Sequence, residues 1–248
     1  MLQTTTDRLT VRLREATAAA HDDAENSGFM TALLDGDYGH LGACAAADLA
    51  GQLWFIYGAL EDAVRAIADT PEGAAIADVR LERHDALERD LEFLIGPRWR
   101  SSIEALPQTA AYVNRLAELA RTRNASSLVA HHYVRYLGDL SGGQIIARKL
   151  RDHYGIDGDG ARFYDFSALG KIKPYRDAYR DRLDALDLRD DVRDRVLAEA
   201  VLAFRMNTAL FRALDERHRA AVDEPGADGA AEPDGAAGAG KQYCPHLG

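Results

Sequence analysis

Apolar residues along this chain recur at helical spacing and almost nowhere alternate. Leu9, Leu13, Ala16 and Ala20 form one stripe, and Leu53, Ile56, Tyr57, Leu60, Val64 and Ile67 a second. Leu116 and Leu119 mark a third, and Val196, Ala200, Ala203, Phe204, Phe211 and Leu214 a fourth. Such a period is that of a helix turning one face to a core, so the pattern predicts an all-α bundle of about seven to nine helices without a sheet. Punctuation fits. Thr6 and Asp7 can cap the first helix, "DTPEG" at 69–73 and "IGP" at 95–97 interrupt the middle, and "YGIDGDG" at 154–160 ends a long central helix. No segment repeats with the period of a solenoid.

Length then sets the domain count. The chain has 248 residues, which suits one domain over residues 1–222 followed by a tail over 223–248. The tail begins "DEPGADGAAEPDGAAGAG" and is too poor in large apolar groups to offset the entropy of ordering it, so disorder is expected there. A formal charge of −10 disfavours nucleic acid or an anionic membrane as a partner for the whole molecule. Any anionic ligand must be held by a local basic cluster. The two cysteines, Cys44 and Cys244, supply no disulfide framework and read as thiols in a reducing cytosol. No apolar run approaches the roughly 20 residues that span a bilayer, and the N-terminus lacks the apolar core of a signal peptide. A cytoplasmic protein is expected.

The most distinctive string is "YLGDLSGGQ" at 136–144, whose last five letters match the signature peptide of ABC-type ATPases. A motor of that class also needs a GxxxxGK[ST] phosphate loop after a strand. Gly170-Lys171 and Gly240-Lys241 are followed by Ile172 and Gln242, so that loop is missing. Residues 126–154 are instead helical in propensity except at Gly138, Gly142 and Gly143. Each glycine inside a helix costs about 1 kcal/mol relative to alanine. Gly138 and Gly142 share a face, which bares one turn of backbone to a flat object. Close helix packing through small residues explains the glycines equally, and they also permit a kink. Packing alone leaves Asp139, set between them, and Arg135, one turn earlier on the same side, without a purpose.

A second constellation lies near the N-terminus in "VRLREATAAAHDDAENSGFM". His21 follows Leu13 by eight residues and Thr17 by four, at the edge of the inward face. A lone histidine there is ordinarily a packing residue. Glu25, one turn on, can accept a hydrogen bond from the ring's second nitrogen, as carboxylates do for metal-bound imidazoles. Arg14 places a cation about 10 Å back along the same face. In "KIKPYRDAYRDR", Arg176 and Arg180 share a face, which reads either as solvated surface or as a basic rim. Tyr133 adds a phenol near the start of the glycine helix. A flat ligand with carboxylates on one edge would use imidazole, bare backbone and cations together.

The segments "EATAAAHDDAEN" with "FM" after it, "YVRYLGDLSGGQ" and "FRMNTALF", in that order, closely resemble the haem oxygenase family over residues 7–218. The resemblance implies a haem oxygenase-like helical bundle in which haem, substrate and cofactor at once, lies between the helix of His21 and the helix of Gly138, Gly142 and Gly143. It implies cleavage of the porphyrin at a meso carbon to biliverdin, CO and iron, using O2 and electrons from a ferredoxin or NAD(P)H-dependent reductase. His21 is then the proximal iron ligand with Glu25 behind it. Asp139 is the distal acid that organises water, and Arg135, Tyr57 and Asn207 anchor that network. Arg14, Tyr133, Arg176 and Arg180 hold the propionates. Met30, Phe204 and Phe211 match pocket walls, although a plain core role describes each equally.

Two departures stand out. Arg14 occupies a place where many relatives have lysine, and no membrane segment follows the catalytic region as in the animal microsomal enzymes. Cys244-Pro245 in the tail matches the core of haem-responsive motifs, a second point where haem could attach. The rival from another class is a haem carrier or sensor, which would need His21 and the basic rim but not Asp139. A di-iron bundle wants Glu-x-x-His pairs, and the chain has none.

Overall fold

The computed structural model describes residues 8–223 and residue 244. Ten α-helices form among them: α1 Leu9–Glu25, α2 Gly28–Asp35, α3 Gly42–Ala66, α4 Pro71–Ile76, α5 His84–Ile95, α6 Trp99–Ser102, α7 Pro107–Arg121, α8 Ala125–Tyr154, α9 Ile172–Asp184 and α10 Asp190–Asp223. Short 3-10 turns lie at Gly39–Leu41, Gly158–Gly160, Arg162–Tyr164 and Ser167–Leu169, and no strand occurs among the described residues. The all-α expectation holds. The helix count exceeds it because α4 and α6 are only one or two turns long, too short to register as a period.

The local signals act largely as read. Thr70 caps α4 by accepting the Gly73 N–H at 3.0 Å, with Pro71 filling the first turn. Asn124 caps α8 by accepting the Ser127 N–H, and Gly155, in a left-handed conformation at φ 66°, closes its far end. The first helix differs. It starts after Arg8 with no side-chain cap, and Thr6 and Asp7 lie outside the described residues. Its start is held instead by Asp184 of α9, which accepts from both the backbone N–H and the hydroxyl of Thr10 at 2.8 and 2.9 Å.

α3 is the axle of the bundle, with Ile56, Tyr57 and Leu60 fully enclosed. By length and composition the stretch Gly39–Ala66 is apolar enough to cross a membrane, which corrects the expectation that no run comes near it. In this fold 67% of its most apolar window is buried against α5, α7 and α8, so the apolar surface is consumed by the core. α10 runs between α1 and α8, burying Val196, Ala200, Ala203 and Leu214. That placement makes α10 the element through which the two candidate helices meet.

The cysteines overturn a second expectation. Cys44 of α3 and Cys244 form a disulfide, with Cα atoms 5.0 Å apart. Cys244 is buried, and its N–H donates to the Leu94 carbonyl at 3.2 Å. The reading of two free thiols, and of Cys244 as a haem-attachment point, gives way to a cross-link. The expectation of disorder for the rest of the tail lies outside the described residues. Because the bond closes a sequence separation of 200 residues, it removes much freedom from the unfolded chain, worth about 2–4 kcal/mol. Reduction with dithiothreitol is therefore expected to lower the melting temperature by about 5–15 °C. Cys244→Ser protein should melt at that lower temperature with or without reductant.

Candidate functional site

α8 carries the first half of the site. It is continuous α-helix through all three glycines. A Cβ built at Gly138 or at Gly142 would meet nothing within 4 Å. That disposes of the packing alternative for these two, since no neighbouring helix fills the space they leave. Gly143 differs: it is buried, and a Cβ there would come within 3.3 Å of the Tyr164 ring. It seats an aromatic wall and does not extend the bare strip.

Asp139 lies between the two open glycines, and its carboxylate accepts a hydrogen bond from the Tyr57 hydroxyl. Arg135 Nε donates to the same hydroxyl at 3.2 Å, its guanidinium stands 4.9 Å from the Tyr57 ring centre, and its Nη1 donates to Asn207 Oδ1 at 2.9 Å. Three helices thus converge on one chain of hydrogen bonds: α3 through Tyr57, α8 through Arg135 and Asp139, α10 through Asn207. Burial pushes the Asp139 carboxyl up to about 6, against the opposing pull of Arg135 and the Tyr57 hydrogen bond. Burial likewise holds the Tyr57 phenol well above its ordinary range.

His21 carries the second half. It is half-exposed on α1, with Nδ1 3.5 Å from Glu25 Oε2 and its ring edge-on to Phe204 at 5.6 Å between centres. Its Nε2 has no hydrogen-bond partner among the described residues, so one nitrogen is oriented and the other is free to ligate. Phe204 sits one turn before Asn207 on α10. The imidazole and the Asp139 chain therefore flank the same turn of one helix.

The basic rim assembles from α1, α8 and α9. Burial raises the Tyr133 phenol, and the charges of Arg180 and Arg14 oppose that shift. Arg180 pairs with Asp177 at 3.3 Å. Arg176 reaches α8 and donates from Nη1 to Ser141 Oγ at 2.8 Å, while its Nε is buried without a partner. A cation with an unsatisfied donor beside the bare glycines suits the carboxylate of an incoming ligand. The half-exposed imidazole, the open strip and that orphan donor together fit haem.

Met30 and Phe211 are placed less centrally. Met30 is buried in the general core, and Phe211 stacks on Phe29, itself packed against Tyr38 and His218. Core packing accounts for both contacts.

Several site residues escaped sequence reasoning. Tyr164 and Phe163 wall the distal side, Phe163 edge-on to Tyr57 at 5.1 Å. Behind Tyr57, Glu61 accepts from the backbone N–H groups of Arg83 and His84 at 2.6 and 3.1 Å and from Tyr136 at 3.3 Å. Near Arg135, His131 lies between Tyr112 and Glu199 at 3.1 and 2.9 Å. Burial lowers the His131 pKa, while Arg115 and His131 hold the Glu199 carboxyl down at about 2 in spite of burial. His131 is thus neutral, donating from Nε2 to Glu199 and accepting from the Tyr112 hydroxyl. The aromatic run "RFYDF" at 162–166 was the one available signal.

Known proteins share this sequence pattern and fold. The family profile described as heme oxygenase matches residues 7–213. Human heme oxygenase 1 is 39% identical over 212 residues, 84% of this chain and 72% of that protein. Heme oxygenase 1 from the cyanobacterium Synechocystis sp. is 35% identical over 207 residues, 84% of this chain and 85% of the relative. Its crystal structure in complex with heme superposes with a TM-score of 0.81 at 34% identity, covering 87% of this chain and 96% of that one. A profile match across residues 7–213 and relatives alike over most of their length establish that the chain belongs to the haem oxygenase family.

Proposed function

We propose that this chain degrades haem, binding it as both substrate and cofactor and opening the porphyrin at a meso carbon to biliverdin, CO and iron, with O2 and an electron donor of the ferredoxin or NAD(P)H-dependent reductase type. Bound haem supplies the iron at which oxygen is activated. His21 would hold that iron through Nε2, with Glu25 3.5 Å from Nδ1 to orient the ring. Gly138 and Gly142 let the porphyrin face approach the α8 backbone and keep bulky groups away from the reacting edge. Arg14, Tyr133, Arg176 and Arg180 would receive the propionates and so fix the rotation of the ring in its slot, which decides the meso carbon that is attacked. Asp139 holds the water that delivers protons there, and the Tyr57–Arg135–Asn207 chain fixes its carboxylate.

The single observation that carries this reading is Asp139, a partly buried carboxylate in a complete hydrogen-bond chain between two glycines with open space before them. A haem carrier gains nothing from that arrangement. Purified protein mixed with hemin and given ascorbate in air should lose its Soret band as bilin absorbance grows. A Soret band stable to ascorbate, with hemin still bound, would leave a carrier or sensor.

The glycines give an independent check. Gly138→Ala and Gly142→Ala each remove a helix penalty of about 1 kcal/mol without meeting a neighbour, so the haem-free protein should melt about 2–4 °C higher. Hemin affinity, titrated through the Soret band, should fall in the same variants. A gain in both would show that the strip does not face haem.

A further inference from the structure

We propose that Asp90 of α5 is a positioning residue for the distal side, gripping the turn that carries Phe163 and Tyr164 and through it holding Tyr57 against Asp139. The inference rests on the haem-degrading reading for its kinetic consequence but not for its structural one. Asp90 is buried, and its two oxygens accept the consecutive backbone N–H groups of Arg162 and Phe163 at 2.7 and 2.8 Å. Within residues 155–171 the N–H groups of Ala161, Tyr164 and Asp165 are met by carbonyls of the segment's own 3-10 turns, whereas those of Arg162 and Phe163 reach across to Asp90. Two further anchors hold the same turn by its carbonyls: Gln144 Nε2 donates to Tyr164 O at 3.1 Å, and Arg83 Nη1 to Asp165 O at 2.5 Å.

What the turn presents explains why its position matters. Phe163 stands edge-on to Tyr57 at 5.1 Å and to Tyr164 at 4.9 Å. Tyr164 lies against Gly143, and the Asp139 charge raises its phenol pKa, as does burial. The wall therefore seats Tyr57 and limits the bulk solvent around Asp139. A shift of the turn admits more solvent to the Asp139 carboxyl, and its raised pKa, which comes from burial, relaxes toward the ordinary carboxylate range.

Asp90→Asn keeps the shape but faces one backbone N–H with an amide N–H2, whereas Asp90→Glu keeps both acceptors. A small enclosed cavity bordered by Leu87, Asp90, Phe163 and Tyr164 leaves room for the extra methylene. In haem-free protein, amide hydrogen exchange over 162–164 should quicken in Asp90→Asn and stay near wild type in Asp90→Glu. With hemin and ascorbate, bilin formation by Asp90→Asn should slow by about tenfold to a hundredfold. Its hemin affinity should remain within about threefold, because no rim residue is touched. Burial raises the Asp139 carboxyl to about 6 and that of Asp90 itself to about 7; beyond the loss of Asp90's own titration, the limb of the rate profile that follows Asp139 should move to lower pH in Asp90→Asn and return in Asp90→Glu. An Asp90→Asn protein with unchanged exchange over 162–164, or with an unmoved limb, would overturn the proposal. If wild type itself forms no bilin, the haem-degrading reading fails, and the exchange measurement still decides whether Asp90 holds the turn.

Discussion

His21→Ala should reduce bilin formation to background while hemin still enters the protein. Among the described residues His21 is the only imidazole placed at the α1–α10 contact, half-exposed, with Nδ1 near Glu25 and no hydrogen-bond partner at Nε2. The walls that receive the porphyrin belong to other residues: Gly138 and Gly142 on α8, Arg176 and Arg180 on α9, Phe204 on α10. Removing the ring therefore deletes the ligand and leaves the slot. Soret titration should still saturate, with a spectrum altered by the lost nitrogen, and added imidazole should restore part of the turnover by filling the space left behind. Glu25→Gln separates orientation from ligation. It keeps an acceptor on the ring but removes the charge, and loss of such a partner costs about 10–100-fold, not everything. Wild-type bilin yield in His21→Ala would remove His21 from the site.

Much of this arrangement was open to reading before any coordinates, for a physical reason. His21 and Glu25 on α1, and Arg135, Asp139 and the two open glycines on α8, are related by one or two helical turns within their own helix. A period of 3.6 therefore projects them directly onto a face. Where a relation crosses between elements the projection fails. The Asp139–Tyr57 and Arg135–Asn207 contacts span 82 and 72 positions, and only the resemblance to a family brought those partners together. Asp90 has a helical period around it but acts on a turn 72 residues away that has none. Gly143 shares its sequence neighbourhood with Gly142 yet faces another way, because a step of one residue rotates the helix by about 100°. The disulfide is the extreme case. Two cysteines separated by 200 positions carry no local signal of proximity, and the absence of a cysteine-rich pattern argues only against a framework, not against a single cross-link. The contact at the start of α1 is hidden for a similar reason, since Asp184 lies 174 positions from the Thr10 it accepts from.

Asp139→Asn should lose activity and gain stability, and the gain should depend on pH. In the folded chain the carboxyl is raised from 3.8 to about 6 by burial. The folded state therefore binds the proton more tightly than the unfolded one, and ionising the group at higher pH works against folding. That penalty is complete above about pH 6, shrinks as pH falls through 6, and vanishes below about 4, where both states are protonated. An asparagine carries no charge at any of these values, and its carbonyl still accepts from Tyr57. Melting temperature should accordingly exceed wild type at pH 8 and match it near pH 4, the reverse of what a lost structural contact would give. Proton delivery is abolished in the same variant, so bilin formation should fall by about 10²–10⁴-fold, the usual contribution of a positioned acid. Asp139→Ala removes the acceptor for Tyr57 as well, and its oxidising equivalents should pass to an added phenol in peroxidase fashion. Normal bilin yield in either variant, or a stability gain in Asp139→Asn that is the same at both pH values, would refute the role given to this carboxylate. Loss of activity together with a pH-dependent gain in stability has one economical source: a charge held where folding does not want it, because the reaction does.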